Sequence, residues 1–226
     1  MDNRRRQRNL ARIALATAIA LTPALAAWAQ EPAHSERVEA PRDQDAEQFV
    51  QAQGQRLVSI LADKSQSTGD RMLAFRAAVD DVADVPRITR FVLGKYARTI
   101  TPDQMRRFAA VFQDYVQTAY QQHLADFHGD TLTVTGSVVR KPGDVVVKTT
   151  ITGADVKEPT QVVWRVMGSA SNWKLVDVGV SGVWLAVTQQ DDFVSTIDDH
   201  GGSIDALISR LQELARRRTS APAADH

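Results

Sequence analysis

Residues 101–182 read TPDQMRRFAAVFQDYVQTAYQQHLADFHGDTLTVTGSVVRKPGDVVVKTTITGADVKEPTQVVWRVMGSASNWKLVDVGVSG. Within this stretch, at Gly129, the spacing of apolar side chains changes from the period of a helix, about 3.6 residues, to that of a strand, about 2. Thr101 is a good N-cap, Pro102 suits a first helical turn, and Gln104 can complete a capping box. Met105, Phe108, Val111, Phe112, Tyr115, Val116, Ala119, Tyr120, Leu124 and Phe127 then form a wide apolar face over about seven turns, which predicts the spine helix of the domain. Beyond Gly129, residues 131–141, 144–153, 160–168 and 173–182 are rich in Val, Thr, Ile and Trp. Val145, Val147 and Ile151 alternate with Lys148 and Thr150, and Val162, Trp164 and Val166 with Arg165. The intervening segments carry turn chemistry, as in Lys141-Pro142-Gly143-Asp144, and are too short for parallel crossovers. The four strands therefore predict an antiparallel meander.

Helical spacing flanks the meander on both sides. Phe49, Leu57, Ile60 and Leu61 mark one face over residues 45–62, and Ser67-Thr68-Gly69-Asp70 caps a second helix carrying Met72, Phe75, Val79 and Val82. Pro86 opens a short helix with Ile88, Phe91, Val92 and Leu93, closed by Gly94. After the strands come Val183, Leu185, Val187, Phe193, Val194 and Ile197, stopped by Gly201-Gly202; Ser203 then caps a last helix with Ile204, Leu207, Ile208, Leu211 and Leu214. Helices, meander, helices: this order predicts an α+β domain with helices packed on one face of a curved four-stranded antiparallel sheet.

The N-terminus reads as an export address. Arg4-Arg5-Arg6-Gln7-Arg8 precedes an apolar run over residues 13–25, and Ala27-Trp28-Ala29 supplies a small-x-small cleavage pattern. Pro23 interrupts the run, which is shorter than the ~20 residues a spanning helix needs. The chain thus divides into a signal peptide (1–29), a polar, proline-broken disordered linker (30–44), the α+β domain (45–214) and a disordered tail (215–226). The whole chain is formally neutral, with 27 basic and 27 acidic residues; without residues 1–29 it holds 22 basic and 26 acidic ones. That mild acidity gives no reason to expect nucleic-acid binding. The absence of cysteine excludes disulfides, thiolate metal sites and a cysteine nucleophile.

Few residues suggest catalysis. His34 and His226 lie in the expected tails, and His123 and His128 are five apart, so they do not share a helix face as metal ligands at i, i+4 would. Asp198-Asp199-His200 points in several directions on a helix and is expected to be structural. Gly179-Val180-Ser181-Gly182 resembles a nucleophile elbow, but Val183 stands where its closing glycine belongs. Asp177, amid Leu175, Val176 and Val178, is the one candidate base; hydrogen bonding to a turn or a neighbouring strand is the plainer reading. No catalytic or metal-ligating set emerges.

Three stretches resemble the MlaC family of periplasmic phospholipid-binding proteins, also called toluene-tolerance auxiliary components. They are Pro86-Arg87-Ile88-Thr89-Arg90-Phe91-Val92-Leu93-Gly94-Lys95-Tyr96, then Thr101-Pro102-Asp103-Gln104-Met105-Arg106-Arg107-Phe108, and Trp173-Lys174-Leu175-Val176-Asp177-Val178-Gly179-Val180-Ser181-Gly182-Val183-Trp184-Leu185. Phe193, Gly201-Gly202, Leu207-Ile208 and Leu211 continue in the family's order, so the likeness spans about residues 45–214. The chain departs at Gln189-Gln190-Asp191-Asp192, where an aromatic-Arg pair is usual, at Trp184, where a small residue is common, and at Ala97-Arg98, where Trp often follows the tyrosine. The hopanoid-associated HpnM branch is the nearest variant.

The resemblance implies a periplasmic carrier with phospholipid as cargo and no other cofactor. It implies two partners: the lipid-binding subunit of an inner-membrane ABC transporter and an outer-membrane lipoprotein–porin complex. It also implies an apolar cavity between sheet and helices, of about 800 Å³. Chosen for apolar bulk near the sheet–helix seam, the candidate lining is Phe91, Tyr96, Phe108, Val111, Phe112, Tyr115, Val147, Trp164, Val166, Val178 and Trp184. Two other classes stay open: an NTF2-like small-molecule enzyme with Asp177 as base and Tyr96 or Tyr115 as donor, and a cavity-free interaction module.

Overall fold

Helix starts, more than helix interiors, fix where this chain turns. In the computed structural model, which describes residues 41–125, 128–154, 156–170 and 172–219, each of the first three helices opens on a side-chain cap. Asp43 accepts from the Ala46 N–H at the start of α1 (Gln44–Ala62), Ser67 from the Asp70 N–H in α2 (Thr68–Val82), and Asp84 from the Arg87 N–H in α3 (Val85–Phe91). A 3-10 turn, Gly94–Arg98, leads to α4 (Pro102–Ala125). There the expected capping box is formed: the Gln104 N–H donates to Thr101 Oγ1 and the Thr101 N–H to Gln104 Oε1, each at 3.2 Å. All described residues fall in one unit, Glu39–His226. The expected export signal, the linker as far as residue 40, and the tail beyond residue 219 lie outside them.

Strands β1 (Thr131–Lys141), β2 (Asp144–Thr152), β3 (Thr160–Met167) and β4 (Lys174–Val180) form the meander, each antiparallel to the next. The sheet has five strands rather than four, because β5 (Val183–Trp184) folds back on β4 and pairs Trp184 with Gly179. Two residues carry no measurable period, so sequence patterning merged them with the following helix. The turn between them places Ser181 at φ 49° and Gly182 at φ 86°, the left-handed pair that a two-residue hairpin needs. Helices α5 (Leu185–Asp199) and α6 (Ile204–Thr219) follow. Residues 215–219, expected in the tail, continue α6 with helix-forming Ala and Arg side chains.

Two hydrophobic cores result. In the first, α1 packs on one face of the sheet, with Val50, Leu57 and Val58 against Leu132, Val147, Trp164 and Val166, and α2 packs on α1 and adds Ala78 and Val82. The second includes Val92 and Leu93 just after α3, Phe108 and Phe112 from α4, Phe193 and Ile197 from α5, and Leu207 and Leu211 from α6, with no buried member from a strand among the described residues. As far as Val116, the spine helix α4 therefore buries its apolar face against helices rather than on the sheet; Tyr120, Leu124 and Phe127 lie outside the described side chains. Periodicity says that a face is buried and not against what. Ile88 on α3 packs against both cores and marks the seam between them.

Candidate functional site

Ten of the eleven expected lining residues divide between the two cores, and Trp184 belongs to neither. Phe91, Tyr96, Phe108, Val111, Phe112 and Tyr115 lie in the helical core, and Val147, Trp164, Val166 and Val178 in the sheet core. Trp184 lies at the start of α5, its ring 3.3 Å from where a Cβ on Gly179 would stand. Phe108, Val147 and Val166 are 0% exposed, so no space as large as a water molecule adjoins them. Phe193 closes the helical core. Its ring meets Phe108 at 5.9 Å and Phe112 at 5.8 Å edge-on, and Tyr115 at 6.0 Å. In the sheet core, Trp164 donates its indole N–H to Thr149, whose hydroxyl donates to the Val162 carbonyl, while the buried indole N–H of Trp173 in the same core has no hydrogen-bond partner.

An open concavity lies elsewhere, over the α3 end of the helical core. It is a cleft of about 590 Å³ lined by Arg87, Arg90, Phe91, Gly94, Lys95, Arg98 and Gln190. Its four cations are exposed. Arg87 pairs with Asp84 at 2.8 Å and Lys95 with Asp198 at 2.7 Å; Tyr96 also donates to Asp198. Those contacts hold the Asp198 carboxyl below the usual carboxylate range, the hydrogen bond from Lys95 first among them, and hold the Lys95 ammonium above its usual value. The cleft is braced from α5, where the Gln190 amide donates to the Phe91 carbonyl. Gly94 adopts φ 52°, and a Cβ there would meet Val194 Cγ2 at 2.7 Å, so only glycine lets the chain turn this close to α5. Sequence reading had found Phe91 but not the arginines. The i, i+3 spacing of Arg87 with Arg90 and of Lys95 with Arg98 was the available signal.

Asp177 is buried in β4, and burial raises its carboxyl above the usual range. It accepts from the backbone N–H groups of Val178 at 2.8 Å and Ala186 at 2.9 Å, and also from that of Val187. Because Trp184 offers no side-chain cap, Asp177 serves as the cap of α5 from the neighbouring strand. Tyr96, the suggested donor of an enzyme site, donates to Asp198 instead. Ser181 sits in the β4–β5 turn, and the His200 ring bonds the Thr196 carbonyl at 2.7 Å. Among the described residues, no group of three or more His, Asp or Glu could hold a metal ion.

The profile of the family described as MlaC protein matches residues 51–213. The chain belongs to the MlaC family. The MlaC match contains all three stretches that carry the sequence resemblance. The toluene tolerance protein ttg2D of Pseudomonas putida is 25% identical over 137 residues, 60% of this chain and 63% of that protein, so the match spans less than two thirds of that relative. Among solved structures, the phospholipid-binding protein from Ralstonia solanacearum, in complex with a phospholipid, is 26% identical. It superposes with a TM-score of 0.64 over 76% of this chain and 99% of the other. The MlaC fold here is thus that of a protein solved with lipid bound.

Proposed function

We propose that the protein is a periplasmic phospholipid carrier, shuttling lipid between an outer-membrane lipoprotein–porin complex and the lipid-binding subunit of an inner-membrane ABC transporter. In this role it maintains the lipid asymmetry of the outer membrane. The observation that carries the reading is the correspondence with the R. solanacearum protein, which holds a phospholipid and is matched over 99% of its length. The N-terminal basic-apolar-small pattern supports export.

Physics defines the task. Each buried CH₂ contributes roughly 0.8 kcal/mol, so two chains of about 15 methylenes represent on the order of 20–25 kcal/mol of transfer free energy. A lipid does not leave a bilayer for water at that cost, but it exchanges between two apolar hosts with little net change. In this reading the carrier supplies the second host along the seam at Ile88, which packs against both cores. Chemistry on the cargo is not part of this role: Asp177, the one candidate base, caps a helix. Gentle purification from the periplasm followed by lipid mass spectrometry tests the proposal. Near-stoichiometric phospholipid is expected, and repeated recovery of lipid-free protein that also fails to load from vesicles contradicts it.

A further inference from the structure

We infer that the cleft bounded by Arg87, Arg90, Lys95 and Arg98 is a phosphate-binding site that seats the headgroup phosphate of the carried lipid. This rests on the carrier reading above. The spacing assembles the site: residues three apart on α3 and three apart on the 3-10 turn fall on common faces, and both pairs line the same cleft. Asp84 and Asp198 partner Arg87 and Lys95, but no carboxylate among the described residues pairs with Arg90 or Arg98. Two guanidinium groups are therefore left facing one concavity with no counter-charge. Their planar forks match the oxygens of a phosphate.

The floor of the cleft gives the ligand its second half. Phe91 lines the cleft and also packs in the helical core, while Ile88, three residues earlier on α3, touches both cores. A phosphate held by Arg90 and Arg98 thus has the apolar ring of Phe91 beside it, one turn of α3 from Ile88 at the seam. At about 590 Å³ the cleft is larger than a phosphate ion alone requires and has room for glycerol as well. Gly94 and Gln190 fix the turn against α5, so the cations are presented on a braced wall rather than a loose loop. The shared chemistry is a phosphate anion; a phosphate esterified to diacylglycerol and a free phosphate ion are separated by experiment.

The test compares uptake of phosphatidylglycerol and of diacylglycerol, which has the same tails and no phosphate, from neutral vesicles into the full-length mature protein. In the R90E/R98E variant the preference for phosphatidylglycerol over diacylglycerol should fall about tenfold, the scale of one lost charge-assisted bond. R90Q/R98Q should show a smaller fall in the same direction, and it reads the same effect if charge reversal disturbs folding. An unchanged preference in both variants overturns the site. Equal loss of both lipids also overturns it, by assigning the arginines to the shape of the entrance. Calorimetry with inorganic phosphate alone is expected to show only weak binding, because the free ion lacks the tails, and R90E/R98E should abolish it together with the lipid preference. Binding that R90E/R98E abolishes while the lipid preference stays intact would make this a free-phosphate site and overturn the headgroup role. Wild-type protein that takes up neither lipid defeats the carrier reading itself, and the headgroup site with it.

Discussion

Asp177 in β4 accepts a 2.9 Å hydrogen bond from the backbone N–H of Ala186 in the first turn of α5. The sheet thereby caps the helix that closes the second core, and a residue with the look of a catalytic acid becomes the joint between the sheet and the helical half. Replacing it with Ala leaves the first-turn N–H groups without a partner in a buried setting. Asp177→Ala should cost about 1–3 kcal/mol, read as a lower denaturant midpoint, while Asp177→Asn keeps an accepting oxygen and should cost less.

The same joint has a defined pH dependence. Burial raises the Asp177 carboxyl, so the folded chain binds that proton more tightly than the unfolded chain does. Its contribution is therefore full below the ordinary carboxylate value and declines as pH climbs through the raised one. Measured across that acid window, the stability of wild type relative to Asp177→Asn should fall with rising pH. A gap that is flat or widens with pH would show that burial does not control this group.

Asp144 behaves in the opposite sense. Arg165 meets it with two hydrogen bonds of 2.9 Å, and this holds the buried carboxyl below its usual range. Its contribution is present above the ordinary carboxylate value and lost as pH falls through the lowered one. Asp144→Asn should destabilise by about 1–3 kcal/mol at neutral pH, with the difference from wild type shrinking in acid. Paired chemical denaturation curves at the two pH values check this.

Much of this fold was legible before any coordinates. The Thr101–Gln104 capping box, the period change at Gly129 and the turn residues of the meander are local signals, and each formed where its chemistry required. What escaped was relational. Phe108 and Val147 are both apolar and both buried, but they belong to different cores, which no spacing rule distinguishes. The strand β5 was hidden because Val183 and Trp184 take their conformation from pairing with β4, not from a pattern of their own. The basic cleft was missed because exposed arginines obey no burial period, and only folding α3 and the 3-10 turn around one concavity gives them joint meaning.

Phe193 holds the helical core together through ring contacts with Phe108, Phe112 and Tyr115. Phe193→Ala should cost about 3–5 kcal/mol in thermal or chemical unfolding. The residue lies outside the sheet core, so the β-sheet signal in circular dichroism should outlast the helical signal during unfolding of this variant. Simultaneous loss of both would show that the two cores unfold as one.

The free edge of β1 is covered by α1. Gln51 donates to the Leu132 carbonyl and accepts from the Val134 N–H, and Gln55 donates to the Asp130 carbonyl and accepts from the Leu132 N–H, at 2.7–3.2 Å. These two amides occupy the ladder groups that would otherwise recruit another strand. The Gln51→Ala, Gln55→Ala double variant should lose about 1–3 kcal/mol and gain concentration-dependent light scattering on heating. Unaltered scattering would remove the edge-protecting role.

The carrier account is tested most directly by following labelled phospholipid from donor to acceptor vesicles held apart by a barrier that only the protein can cross. It predicts transfer that rises in proportion to protein concentration, with a protein–phospholipid species recoverable in transit. Transfer that stays at the protein-free background, with no lipid on the recovered protein, would contradict it.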